Sequence, residues 1–366
     1  NIKIAKAFRT TSNEALCIRT GMTPIVYELT AISKFYSVTK GRIGDTVGNA
    51  SLDTPVNYRD WPHPSLKVKV VEKSEEEYYS VQIYTDGSKT DKGVGAGVAI
   101  YHQEGATQEL RFRLGSRCSN NQAEQVAILR ALEALKNYNT PIKSAAIHTD
   151  SKITLDLISN NSSHCFLIEE IKQNLQILAQ QTWKIHFQWV KAHAGNEGNE
   201  RADQLAKQAA GCLQLQPTFE LVPFSTVKRD LREEANNAWD EEWSTTTNGG
   251  TTKSYFPTVR SRQQSNIKLT HNITAVTTGH GKFGEYFYRF RISDDPTCVC
   301  GVTSQTVDHI LWECSLLQND REAFRRQLLT SGGQWPPNKS DLVLKHLTEF
   351  KNFVNSINFD KIQTVN

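Results

Sequence analysis

Apolar positions along the chain change period several times, and those changes divide it. Before residue 45 the apolar residues fall at helical spacing in two short runs. Thr11 and Glu14 have capping-box spacing ahead of Ala15-Leu16-Cys17-Ile18, and Gly21 stops that helix. Pro24 stands where a first turn tolerates proline, ahead of a second helix from Ile25 to Val38. Residues 46–78 read as a connector, because Pro55, Pro62 and Pro64 break regular structure and Glu75-Glu76-Glu77 is a solvated run.

From Val81 onward strand and helix signals alternate. Val81 to Asp86 is a β-rich run ending at Gly87, and Val94 to Tyr101 is a strand interrupted by Gly95 and Gly97. Leu110, Phe112 and Leu114 alternate with Arg111 and Arg113, a period of two. A helix from about Asn121 to Asn137 follows, with Ser119 as its cap. Ala145 to Thr149 is a short buried strand ending at Asp150. Leu167, Ile171, Leu175 and Leu178 mark an amphipathic helix. Ile185, Phe187 and Trp189 alternate with polar neighbours in a last strand, and Asn199 to Ala210 is a helix ended by Gly211. This succession predicts an α/β domain over residues 79–211. Residues 212–256 follow as a linker and a charged helix, Ser225 to Trp243, with a flexible loop at Thr245 to Thr252 around Gly249-Gly250. Residues 257–366 form a further, mainly helical unit.

Composition narrows the class. Of 366 residues, 38% are apolar and 9% aromatic, enough to build cores and to exclude wholesale disorder. No apolar run reaches the ~18 residues of a membrane span, and no leader-like segment opens the chain, so the expected setting is intracellular, nuclear or cytoplasmic, with no membrane partner. Met22 is the only methionine and residue 1 is Asn, so the chain reads as part of a longer protein. The net charge of +3 conceals two basic segments. Lys3, Lys6, Arg9, Arg19, Lys34, Lys40 and Arg42 face only Glu14 and Glu28 before residue 43, and six cations from Arg260 to Arg291 face only Glu285. Such segments suit a polyanion, or simply a solvated surface.

Four acids stand where chemistry can use them. Asp86 and Asp150 end predicted strands, Glu124 lies in the first turn after Ser119-Asn120-Asn121-Gln122-Ala123, and Asp203 lies in the first turns of the last helix. Carboxylates converging from separate elements repel one another unless cations bridge them, and an oxygen-only set favours Mg²⁺ or Mn²⁺. Two such ions ~3.5–4 Å apart activate a water and stabilise a leaving oxygen. Taken singly, each acid also reads as a turn former or a helix-dipole partner.

Seven cysteines are an odd number. Cys17, Cys118, Cys165 and Cys212 are scattered, as reduced thiols are. Cys298, Cys300, His309 and Cys314 form C-x-C-x8-H-x4-C, three sulfurs and an imidazole that match one structural Zn²⁺, or else buried thiols beside an unrelated histidine. Between Leu269 and Arg291, aromatics interleave with Lys282, Arg289 and Arg291, as base-stacking surfaces do and as helical cores also do.

Tyr84-Thr85-Asp86-Gly87-Ser88, Asn120-Asn121-Gln122-Ala123-Glu124, His148-Thr149-Asp150-Ser151 and the run from Trp189 through His193-Ala194-Gly195-Asn196-Glu197-Gly198-Asn199 to Asp203 occur in that order. In this ordered set the chain resembles type I ribonuclease H over roughly residues 79–210. The resemblance implies a mixed five-stranded sheet with flanking helices and hydrolysis of the RNA strand of an RNA–DNA hybrid. It implies that Asp86, Glu124, Asp150 and Asp203 hold two Mg²⁺ or Mn²⁺ ions. His193 would assist product departure or proton transfer, and Ser88, Ser119, Asn120, Asn121 and Asn199 would touch the hybrid. Small polar residues of this kind suit the reading of 2′-hydroxyls across a shallow minor groove. Some relatives carry a basic handle between two helices; Leu178 to Trp183 here has no basic run, which leaves the grip to flanking modules.

A second likeness spans most of the chain. Ala7 to Leu16 and Gly21-Met22-Thr23-Pro24-Ile25 resemble the tail of a reverse transcriptase, and Thr278-Gly279-His280-Gly281 with the C-x-C…H…C group resembles the zinc-knuckle end of insect, jockey-like non-LTR retrotransposon polyproteins. The remainder of such a polyprotein is then an expected partner. A catalytically silent nucleic-acid-binding module, or a domesticated host protein keeping the fold, is the alternative.

Overall fold

A computed structural model describes residues 1–40, 51–56, 79–102, 107–138, 140–160, 165–192, 194–359 and 361–362. Most of the expected connector 46–78 therefore lies outside the described residues, as do residues 41–45. Contacts divide the chain into two units, one of residues 35–230 and one of residues 1–34 with 231–366.

The first unit is built on a five-stranded sheet. Its strands are β1 (Val81–Thr90), β2 (Gly93–His102), β3 (Thr107–Leu114), β4 (Ser144–Thr149) and β5 (Lys184–Trp189), in the spatial order β3-β2-β1-β4-β5. The pairs β1–β2 and β2–β3 are antiparallel, and β1–β4 and β4–β5 are parallel, so the sheet is mixed. Val81 and Ile83 of β1 and Ala145 and Ile147 of β4 point into one core with Ala123, Val126, Ala127 and Ile168 from the helices Asn120–Lys136 and Phe166–Gln180. The helix Glu197–Gly211 covers β2 with a small-residue face of Ala202, Ala206, Ala209 and Ala210, all fully buried. Its backbone comes so close that a side-chain carbon on Gly97 would lie 2.2 Å from the Ala202 carbonyl oxygen. The slim glycine-bearing strand thus serves helix packing.

Two boundaries differ from expectation for identifiable reasons. β1 does not end at Gly87 but runs to Thr90, because Lys89 and Thr90 keep pairing with Val94 and Gly93. A short helix, Lys152–Ser159, opens directly after Asp150 and is capped by Ser151, whose side chain accepts from Thr154 N. Its eight residues are too few to show a separate period.

In the second unit the N-terminal helices share a core with the C-terminal half. Asn13–Thr20 contributes Cys17 and Ile18 to a cluster with Trp239, Trp243, Tyr255, Phe256 and Phe350. The expected segmentation, with residues 1–45 apart from 257–366, does not match this shared core. The cap of that helix is Ser12, whose side chain accepts from Ala15 N at 3.3 Å, rather than Thr11, which is buried. The expected loop at 245–252 is partly helical, with Gly250–Tyr255 placing Tyr255 in the core. No helix among the described residues is long and apolar enough to cross a membrane.

Candidate active site and metal centres

Asp86 sits in the middle of β1, directly opposite Gly97. A side-chain carbon on its neighbour Gly87 would lie 2.4 Å from the Glu124 amide nitrogen, so the missing side chain is what lets the start of helix Asn120–Lys136 rest on the strand. That helix is fixed by a complete capping box: Ser119 Oγ accepts from Gln122 N at 3.2 Å, and Gln122 Oε1 accepts from Ser119 N at 2.9 Å. Glu124 is thereby carried over β1. Asp150 follows the last residue of β4, whose parallel pairing with β1 sets Thr149 beside Thr85. Side-chain oxygens of Asp86, Glu124 and Asp150 lie within 4.8 Å of one another.

Asp203 stands outside that group of three. It follows Ala202, whose carbonyl abuts Gly97, and so comes near enough for its charge to act on Asp86. Lys207, one turn on, donates to Asp203 Oδ2 at 2.7 Å. His193 lies outside the described residues; Ala192 and Ala194 on either side belong to the loop between β5 and the last helix.

The electrostatics are those of crowded carboxylates. Burial first, then the charges of Asp150 and Asp203, push the Asp86 carboxyl up to about 7. Burial and the same neighbourhood, with Asp86 foremost, push Glu124 well above the usual carboxylate range. Glu124 is only 5% exposed; its Oε1 accepts from Asn120 Nδ2 at 3.4 Å, while its Oε2 has no hydrogen-bond partner among the described residues. A buried, crowded, oxygen-only group with one orphaned oxygen fits a hard divalent cation.

The expected hybrid contacts divide. Asn120 and Asn121 are exposed on the first turn of their helix. Ser119 is engaged as the helix cap, and Ser88 is buried in β1. Asn199 is not on the surface: it is 3% exposed, its amide N donates to Asn196 Oδ1 at 3.2 Å, and its own Oδ1 has no partner among the described residues. Two further contacts hold the site: Asp53 accepts from Gln122 Nε2 at 2.7 Å, and Trp189 Nε1 donates to the Asp150 carbonyl at 3.1 Å. The Ser119-x-x-Gln122 signature announced the first helix clamp; no local signal announced its partner Asp53.

In the second unit Cys298, Cys300, His309 and Cys314 bring one ligand atom each within 4.8 Å of the others. Cys298 Sγ and Cys314 Sγ are 3.8 Å apart, the edge expected when two sulfurs lie ~2.3 Å from one tetrahedral ion. Cys300 Sγ is 3.2 Å from His309 Nε2. Gln305, fully buried, reaches Cys298 Sγ at 3.6 Å with Nε2 while its Oε1 accepts from Gly284 N at 2.8 Å. The soft donor set fits a closed structural site. His280 is no ligand: Thr10 Oγ1 and Arg289 Nη2 occupy its two ring nitrogens at 2.8 and 3.1 Å. Phe283 and Tyr286, from the aromatic run, are core residues, whereas Tyr288 and Phe290 are exposed.

The family model for RNase H matches residues 78–211. A ribonuclease H of Blochmanniella pennsylvanica is 35% identical over 149 residues, covering 37% of this chain and 95% of that protein. The chain belongs to the ribonuclease H family. Human ribonuclease H1 is 32% identical over 144 residues, 36% of this chain and 50% of its own length. The ribonuclease H domain is also part of a longer similarity: a Pol polyprotein of the type-1 retrotransposable element R1 from Popillia japonica is 26% identical over 215 residues, 58% of this chain and 81% of that protein.

The raised carboxyls set a pH dependence for the metal-free ribonuclease H domain. Asp86 moves from an ordinary 3.8 to about 7, so between those values the folded protein holds more protons than the unfolded chain, and stability falls as pH rises. Thermal melting in chelator should therefore show a transition that drops across this window, with a smaller drop in Asp86→Asn and a recovery on adding Mg²⁺. Identical pH profiles for the wild type and Asp86→Asn would contradict the crowding.

Proposed function

We propose that the chain is an endonuclease that cuts the RNA strand of RNA–DNA hybrids, leaving a 5′-phosphate and a 3′-hydroxyl. The observation that carries this reading is the buried trio Asp86, Glu124 and Asp150, with Asp203 alongside, in a ribonuclease H domain. These four residues would hold two divalent ions, Mg²⁺ or Mn²⁺. Ions bound there supply a polarised water and shield the charge that builds on the departing ribose oxygen.

The protein's own residues do the rest. Asp86, with its carboxyl near 7, and Glu124, also raised, would hold a bound cation as carboxylates and so would release their protons to solvent on binding it. Asn120 steadies Glu124, and Lys207 steadies Asp203. His193 moves a proton or eases product departure. Asn120 and Asn121 offer exposed amides to the minor groove. Ser119, at the start of the helix that carries them, and Ser88, next but one to Asp86, are further small polar groups on the hybrid side of this reading, while Asn199 is buried.

In the second unit Cys298, Cys300, His309 and Cys314 hold one structural Zn²⁺, and the whole forms the C-terminal part of a retrotransposon reverse transcriptase polyprotein. Cys298 and Cys314 lie in the hydrophobic core, so zinc held there would stabilise that unit outright.

Cleavage is tested on a labelled hybrid beside double-stranded RNA and double-stranded DNA. Mg²⁺-dependent cuts in the RNA strand of the hybrid alone are expected, and Asp86→Asn should reduce them at least ~10³-fold while the fold survives. Full activity of Asp86→Asn, or no cleavage by the wild type, would refute the proposal; the second result would leave the silent binding module. For the zinc unit, purified protein should contain about one equivalent of zinc, and Cys300→Ser should lose most of it. Unchanged zinc content in that variant would remove the claim.

A further inference from the structure

Between the helix Phe166–Gln180 and β5 stand Gln181, Thr182 and Trp183, none of them cationic, so no basic ledge projects from that connection. Cations gather instead beside the start of the helix Asn120–Lys136. Lys89, directly after Ser88 on β1, donates from Nζ to the Cys118 carbonyl at 2.5 Å. Arg117, two residues before Ser119, donates from Nη2 to Asp230 Oδ2 at 2.9 Å. The other oxygen of Asp230 accepts from Arg229 Nη2, also at 2.9 Å.

Asp230 and Arg229 belong to the first turns of the helix Phe224–Thr245, which follows the ribonuclease H domain. Thr226 and Val227 of those turns are buried, and Thr226 Oγ1 donates to the Arg117 carbonyl at 3.3 Å, so the helix start is packed onto the segment leading into Ser119. Lys89 registers the company: partial burial, then the nearby Arg229, lower its pKa. Two guanidiniums thus hold one carboxylate, and Lys89 lies near enough to feel the charges of Arg229 and Asp230. Arg229 remains 60% exposed, and only one edge of its guanidinium is committed to Asp230. Its other N–H groups have no partner among the described residues, so the charge can meet a phosphate. Lys89 follows Ser88, Arg117 stands two residues before Ser119, and Arg229 is joined to Arg117 through Asp230.

We infer that Arg229, with Lys89 and Arg117, forms a phosphate-binding ledge that carries the hybrid-binding strip beyond the ribonuclease H domain onto the helix after it. The inference rests on the hybrid cleavage proposed above. Its ligand is the sugar–phosphate backbone of the hybrid, so the grip does not depend on base sequence. Asp230 acts as a positioning residue that holds two guanidiniums in register.

The test uses the full chain in a non-cutting Asp86→Asn background and a fluorescein-labelled RNA–DNA hybrid, with anisotropy read over a series of KCl concentrations. Arg229→Gln should weaken binding about 3- to 10-fold at low salt and reduce the slope of log K against log[KCl] by about one. Arg229→Lys should restore most of both, which a merely structural role would not do. Unchanged affinity and slope in Arg229→Gln, or an equal loss in Arg229→Lys, would overturn the ledge. The two readings fail separately. A wild-type chain that does not cut hybrid sinks the cleavage proposal, whereas a chain that cuts hybrid but binds it equally well after Arg229→Gln sinks the ledge alone.

Discussion

Mutual repulsion among carboxylates, held together by close backbone packing, is the constraint on which the ribonuclease H domain turns. Asp86, Glu124 and Asp150 come from a strand, a helix and the end of another strand, and none of them would stay beside the others for its own sake. What forces them together is steric. Gly87 lets the helix carrying Glu124 lie on β1, Gly97 lets the helix carrying Asp203 lie on β2, and parallel pairing of β1 with β4 brings in Asp150. The hydrophobic core beneath supplies the free energy that the crowding costs. The result is a pair of carboxyls with raised affinity for protons and, by the same physics, for cations.

The two metal-fitting clusters make opposite use of their surroundings. In the oxygen cluster Asp150 is half-buried and one oxygen of Glu124 has no partner among the described residues. Such a group would suit ions that also meet a substrate. The sulfur cluster has Cys298 and Cys314 inside the hydrophobic core, and its four donors leave no open position on a tetrahedral ion. One arrangement suits chemistry and the other suits architecture, and the donor atoms alone already separate them.

How much of this could be read from the chain follows from the range of the forces involved. Asp86, Glu124 and Asp150 were legible because each follows a local signal, a β-rich run or a capped helix start. The Cys/His spacing was legible for the same reason. The separate standing of Asp203 was not, since it depends on how tightly an alanine face seats on glycine, a distance no pattern states. The continuation of β1 beyond Gly87 was hidden because Asp-Gly reads locally as a turn, while pairing with β2 overrides it. Asn199, which the family likeness sets against the hybrid, is buried in the first turn that Asn196 caps, a burial its polar neighbours do not signal. The joining of Cys17 and Ile18 to Trp239 and Tyr255 links opposite ends of the sequence and left no mark in either segment.

The most direct measurement of the central claim is anomalous diffraction from crystals of the chain soaked in Mn²⁺. The account predicts manganese peaks bounded by the carboxylates of Asp86, Glu124 and Asp150, with Asp203 on the far side, and loss of the peaks in an Asp86→Asn, Glu124→Gln double variant. Saturating Mn²⁺ that leaves this position empty while the four acids keep the places described would contradict it.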